Sequence, residues 1–96
     1  MPRSITEKIL ECRTPQGRVM RMERWYYESI RAALLEIVPE PGVLAEVFEL
    51  HERVREQLDV VTRESIESLC WHVAWVSLDL QAEGLLARDA AFITRR

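Results

Sequence analysis

Lysine is almost missing from this chain of 96 residues: Lys8 is the only one among 13 basic residues, and the other twelve are arginine. That bias looks like genome composition rather than a functional choice. Glycine is scarce too. Gly17, Gly42 and Gly84 lie too far apart to build a phosphate-cradling loop. Two cysteines, Cys12 and Cys70, stand 58 positions apart. They make neither a disulfide framework nor the close pairs of a zinc knuckle, so the expectation is two reduced thiols in a cytosolic protein, with no metal and no cofactor. No run approaches the ~18 apolar residues of a membrane span. The opening Met1-Pro2-Arg3-Ser4 carries no apolar signal run. A net charge of −3 supplies no bulk attraction to phosphate.

What is present is 48% hydrophobic and 30% charged, the balance of an ordinary globular protein. A chain of this length forms one domain and buries about two-thirds of its unfolded surface, enough for a core without staples. Residues 9–22 form either two extended runs around Thr14-Pro15-Gln16-Gly17 or an irregular arm. In the hairpin reading Leu10 and Cys12 share a face, opposite Met20 and Met22, with Arg13, Arg18 and Arg21 mostly outward.

Three helices follow in this reading. The first spans about 23–38 with Tyr26, Ile30, Ala33, Leu34 and Ile37 on one stripe, and Pro39 and Pro41 end it. The second spans about 43–58, lined by Leu44, Val47, Phe48, His51, Val54 and Leu58, with Glu46, Glu49, Glu52 and Glu56 on its other face. The third runs from an N-cap at Thr62 to Glu83, with Gly84 as its C′ residue. Residues 85–94 close the chain as a two-stranded hairpin.

The third helix is apolar on two sides. Ile66, Leu69, Cys70, Val73, Val76 and Leu80 form one stripe; Trp71, Ala74, Trp75, Leu78 and Ala82 form another, nearly opposite. Ser68, His72, Asp79 and Glu83 occupy the narrow polar strip between them. A helix apolar on both sides must be covered on both sides or expose a patch. The readings for the Trp71, Trp75 and Leu78 face are cover by the N-terminal arm or the body of the same domain, cover by a second copy of the chain, since aromatic residues dominate interface anchors, and, last, a ligand cavity.

This order of elements resembles a winged-helix domain, and Trp71 through Arg88, ending Gly-Leu-Leu-Ala-Arg, resembles that fold's third helix and the start of its wing. The resemblance implies a mainly α, winged-helix-like three-helix core (23–83) with an N-terminal arm or hairpin (1–22) and a C-terminal hairpin wing (85–94). Winged-helix domains mostly bind DNA, and many serve only protein contacts. A closer resemblance is to a small family of uncharacterised bacterial proteins of about this length. It is carried by Pro15-Gln-Gly-Arg18, Tyr27 to Leu35, Val76-Ser-Leu-Asp-Leu80 and Gly84 to Arg88. That family has no established activity to carry over. Its members tend to be polar where this chain has Ala74 and Trp75, which suits this helix to a partner more than to a groove.

Charge argues against DNA. Residues 1–24 carry six cations against three anions, residues 25–61 three against eight, and residues 62–96 four against five. The helix that would enter a groove is slightly acidic. The basic candidates are Arg13, Arg18, Arg21, Arg63 and Arg88, with Arg3, Lys8, Arg24, Arg95 and Arg96 around them. His51 falls on an apolar stripe, where a packed histidine is the ordinary reading, and His72 on the polar strip. The serines lack a nucleophile elbow, and the carboxylates lie along a solvated face. The expectation is a non-enzymatic domain that binds protein, either itself as a homodimer or another macromolecule, through Trp71, Trp75 and Leu78, with no small-molecule ligand evident. The alternative is a DNA-binding regulator using the arginine-bearing arm.

Overall fold

The computed structural model describes residues 8–96. An N-terminal hairpin pairs β1 (Ile9–Arg13) with β2 (Val19–Glu23) in antiparallel register, Glu11 opposite Arg21 and Cys12 opposite Met20. Thr14 closes it: its N–H donates to the Arg18 carbonyl at 2.9 Å, its hydroxyl accepts the Arg18 N–H at 3.1 Å, and its carbonyl accepts from Gly17 at 2.9 Å. Gly17 takes φ +87°, a left-handed conformation that only glycine adopts without strain. Alternation puts Leu10, Cys12 and Met22 in the core, with Met20 half-buried.

Helix α1 (Arg24–Ile37) follows without a loop and buries Tyr27, Ile30, Ala33, Leu34 and Ile37. Tyr27 holds the core position expected of Tyr26. A bridge strand β3 (Ala45–Glu46), a 3-10 turn (Val47–Glu49) and α2 (Leu50–Gln57) come next. The C-terminal hairpin of β4 (Leu86–Asp89) and β5 (Phe92–Arg95) takes β3 as a third strand, in the order β3-β5-β4. Ala45, Leu86 and Ile93 face inward.

Two expectations fail together between residues 43 and 83. The second helix loses its first two turns, because Ala45 and Glu46 pair with Ile93 and Phe92 instead of coiling. The third is not a rod. It is α3 (Val60–Ser65), a break at residues 66–68, and α4 (Leu69–Ala82). The cap of α3 is Asp59 rather than Thr62: its carboxylate accepts from the Thr62 N–H and hydroxyl, each at 2.9 Å. Ile66 is extended and buried, and Ser68 sits at φ +52°. At the far end Gly84 is the C′ residue at φ +81°, with Leu85 N–H on the Leu80 carbonyl and Gly84 N–H on that of Gln81, a Schellman closure.

The mainly α, winged-helix-like three-helix core is therefore corrected to an α+β domain. Among the described residues four helices, with the 3-10 turn, and two small antiparallel sheets account for 51% in helix and 22% in strand. It measures 34 × 32 × 18 Å, about two layers thick. Helix α4 lies at its centre, packed by α1, α2, β1 and β4. The opening residues of the arm, Arg3 among them, lie outside the described residues. Among the described residues no helix is long and apolar enough to cross a membrane.

Candidate functional site

The chemistry of α4 separates by face. One face is anchored by Asp79, which the sequence places on a polar strip but the structure buries to 1% exposure. Its carboxylate accepts the Arg13 N–H at 2.8 Å and the Tyr27 hydroxyl at 2.8 Å; Tyr27 also reaches Glu83 at 3.3 Å. One buried anion thus fastens the end of β1 and the start of α1 onto α4. Charged acceptors make the stronger hydrogen bonds, so this is a lock rather than a decoration. An aspartate three residues after Val76 and four before Glu83 carries no sequence signal that it is buried.

The other face carries the interface residues. Trp71, Ala74, Trp75 and Leu78 line a shallow open groove whose far wall is Thr14, Gln16 and Arg18 at the hairpin turn. Trp75 and Leu78 are half-buried, and Trp75 packs against the core, whereas Trp71 keeps 52% of its surface exposed. The rings continue beyond α4. Trp71 meets Trp75 edge-on at 6.1 Å and His72 at 5.3 Å, His72 meets Tyr26 at 5.0 Å, and Tyr26 meets Trp25 at 4.6 Å. Five rings from α1 and α4 form one string running from Trp25, 40% exposed, to half-buried Trp75, with exposed Trp71 next to that end. Trp25 and Tyr26 were outside the sequence-based interface set, because a helical stripe drawn on one element cannot show rings contributed by another. Tyr26 is held at the break in the helix, donating to the Ser65 carbonyl at 3.2 Å and accepting from the Glu67 N–H at 3.5 Å.

The five arginines considered for nucleic acid fall on three regions. Arg13 and Arg21 flank Glu11 on the outer hairpin face, at 3.5 and 3.6 Å, and Arg18 edges the tryptophan groove. Arg63 on α3 donates to the Arg55 carbonyl at 3.3 Å, and Arg88 on β4 donates through Nε to the Ala90 carbonyl at 2.9 Å. The acidic side is concentrated near α2, where a hydrogen bond with Glu49, then repulsion from it, holds the Glu46 carboxyl above its ordinary range.

His51 is less enclosed than its stripe suggested, with 39% of its side chain exposed and Nε2 at 3.3 Å from Glu52. His72 has Nδ1 at 3.0 Å from the Ser68 carbonyl. Cys12 and Cys70 are free, the first buried and the second exposed rather than in the core stripe. Among the described residues, no group of three or more His, Cys, Asp and Glu side chains converges as a metal site.

These elements define a small α+β domain with a carboxylate-locked central helix and a string of surface aromatics. The chain belongs to DUF6958, a family of unknown function whose profile matches residues 9–93. No curated protein and no solved structure matches it significantly.

Proposed function

We propose that this chain is a cytoplasmic, non-enzymatic binding domain that self-associates through the aromatic face of α4. The observation that carries the reading is the string of five rings, in which Trp25 and Trp71 remain exposed, whereas Tyr27 beside them on α1 is buried in the core. Exposed indoles beside half-buried Trp75 and Leu78 have the make-up of a hot spot, a rigid aromatic anchor in a partly desolvated seat. A two-fold contact is self-complementary by construction. With two α4 helices antiparallel, Trp75 stands near the axis and Trp71 meets Leu78 of the other copy.

Size-exclusion chromatography with light scattering on the wild type and on Trp75→Glu is the test. The expected result is a dimer that becomes a folded monomer on substitution. A wild-type monomer at about 100 µM would refute the reading.

A second reading is favoured by Arg18 alone, which edges the same groove on the hairpin turn. A dimer across α4 would bring two such turns near one another and double the positive charge available to a phosphate backbone. A gel shift with nonspecific duplex at low salt reads this, since counterion-driven binding is strongest there. The absence of any shift at micromolar protein would end it.

A further inference from the structure

Beside the tryptophan groove, with which it shares Ala74 and Leu78, a cavity of about 170 Å³ opens between α2, α4 and the inner face of the C-terminal sheet. Its floor is Leu50, Val73, Ser77 and Ile93, all buried. Its mouth carries His51, Cys70 and Arg88. Three facts bear on what it could hold.

The first is size. An apolar cavity of about 150 Å³ holds a six-carbon ring, so this one takes a tail of about five to seven carbons. The second is the sign of the mouth. No carboxylate lines the cavity itself, and with the His51 imidazole next to Glu52 at 3.3 Å the cation of the mouth is the Arg88 guanidinium. The third is where Arg88 sits. In the β4–β5 register it stands opposite Ile93 and alternates with Leu86, so it projects from the sheet's inner face. The other inward arginine, Arg95, reaches the end of α1 and donates to the Leu35 carbonyl at 3.4 Å, the usual place for a cation. Arg88 has no such employment. Its Nε is engaged by Ala90, which fixes the side chain and, among the described residues, leaves its terminal nitrogens without a hydrogen-bond partner at the mouth.

The geometry points to a binding site for a small monocarboxylate with an apolar tail. The tail fills the Leu50, Val73 and Ile93 floor and the carboxylate lies on the Arg88 guanidinium, whose planar fork matches two oxygens. Such a ligand is an acid of about six to eight carbons, since a longer chain would leave its end in solvent. The cavity shares Ala74 and Leu78 with the tryptophan groove, so the test follows ligand binding and assembly side by side to tell the two apart.

Cys70 supplies the reporter. It is exposed at the mouth, whereas Cys12 is fully buried, so iodoacetamide on the intact chain reads one site. Hexanoate is the probe, with hexan-1-ol and hexylammonium as same-tail controls and light scattering run in parallel to follow assembly. The expected result is at least fivefold slower alkylation at saturation, with half-protection near about 1 mM, as suits a ligand of this size. The alcohol and the amine should protect at least tenfold more weakly. Arg88→Gln, an exposed change that leaves the circular dichroism spectrum intact, should raise the half-protecting concentration at least tenfold. Hexanoate should likewise raise the melting temperature of the wild type and not of Arg88→Gln. No protection at 20 mM hexanoate, equal protection by hexan-1-ol, or unchanged protection in Arg88→Gln would each overturn the assignment.

Discussion

Helices α3 and α4 occupy what the sequence presents as one helical stretch, yet they are held by different physics. Helix α4 has fourteen residues and buries six of them, Asp79 included. Helix α3 has six residues and buries none; Val60 and Val61 stand 55% and 76% exposed. The first is a helix because its sides are packed and one carboxylate ties it to two other elements. The second is a helix because Asp59 caps it and Tyr26 grips its end. A continuous rod would keep Ile66 in helical register; the molecule instead extends the chain there and buries that side chain to 5% exposure. Burial of one isoleucine and the Tyr26 contacts outweigh the loss of about one turn of helix, whose intrinsic stability in water is slight.

The largest expected effect falls on the packed helix. Asp79→Ala removes two charge-assisted hydrogen bonds and leaves the Arg13 N–H without its acceptor, while Tyr27 retains Glu83 at 3.3 Å. A loss of about 3 kcal/mol follows from hydrogen bonds of this kind. In a domain of this length that lowers the melting temperature by about 15 °C. Asp79→Asn keeps one acceptor oxygen and puts a donating NH2 where the other stood, so it can satisfy only one of the Arg13 N–H and the Tyr27 hydroxyl and should fall between the two. A thermal melt of the three proteins decides it. If Asp79→Ala melts within 3 °C of wild type, the hairpin is held by packing alone and the contrast with α3 weakens.

The joint between the helices gives an intermediate effect whose sign is the informative part. Ser68 sits at φ +52° and ψ +52° and makes no side-chain cap. A left-handed conformation costs an L-residue about 1–2 kcal/mol, and glycine avoids it while giving back part of the gain as unfolded-state entropy. Ser68→Gly should therefore stabilise by about 0.5 kcal/mol, a rise of a few degrees in a thermal melt. In an unbroken helix the same change would destabilise by a comparable amount. A lower melting temperature would restore the rod.

Much of this architecture was legible, and the failures share a cause. The N-terminal turn was readable because Pro15 and Gly17 have few other uses, and the end of α4 because Gly84 follows an apolar run. The break at residues 66–68 was not, since Ser-Ile-Glu-Ser contains neither proline nor glycine and sits well in a helix by local preference. Strand β3 was missed for a related reason. Ala45 and Glu46 are ordinary helical residues, and only the presence of Phe92 and Ile93 across the gap makes them a strand. At the candidate site, Trp71, Trp75 and Leu78 were found by spacing and are brought together on one groove. Trp25 and Tyr26 were not, because their adjacency to His72 exists only after α1 crosses the joint. Asp79 escaped for the opposite reason: position on a helical wheel suggested solvent, whereas Tyr27 and Arg13 were waiting for an anion.

The smallest effect belongs to α3, and its dependence on pH distinguishes a cap from packing. Hydrogen bonds from the Thr62 N–H, then from its hydroxyl, hold the Asp59 carboxyl below its ordinary value of 3.8. A group whose folded value is depressed contributes stability that is whole above the unfolded value and is lost as pH falls through the folded one. Asp59→Ala should thus melt slightly below wild type at pH 7, and the gap should narrow as the pH is lowered from 5 to below 3, down to what a neutral capping oxygen supplies. Asp59→Asn keeps a neutral capping oxygen, so its melting temperature should not converge on that of Asp59→Ala in acid. Packing has no such titration: a gap that stays constant across this range would mean that α3, like α4, is held by what its side chains touch rather than by the charge at its first turn.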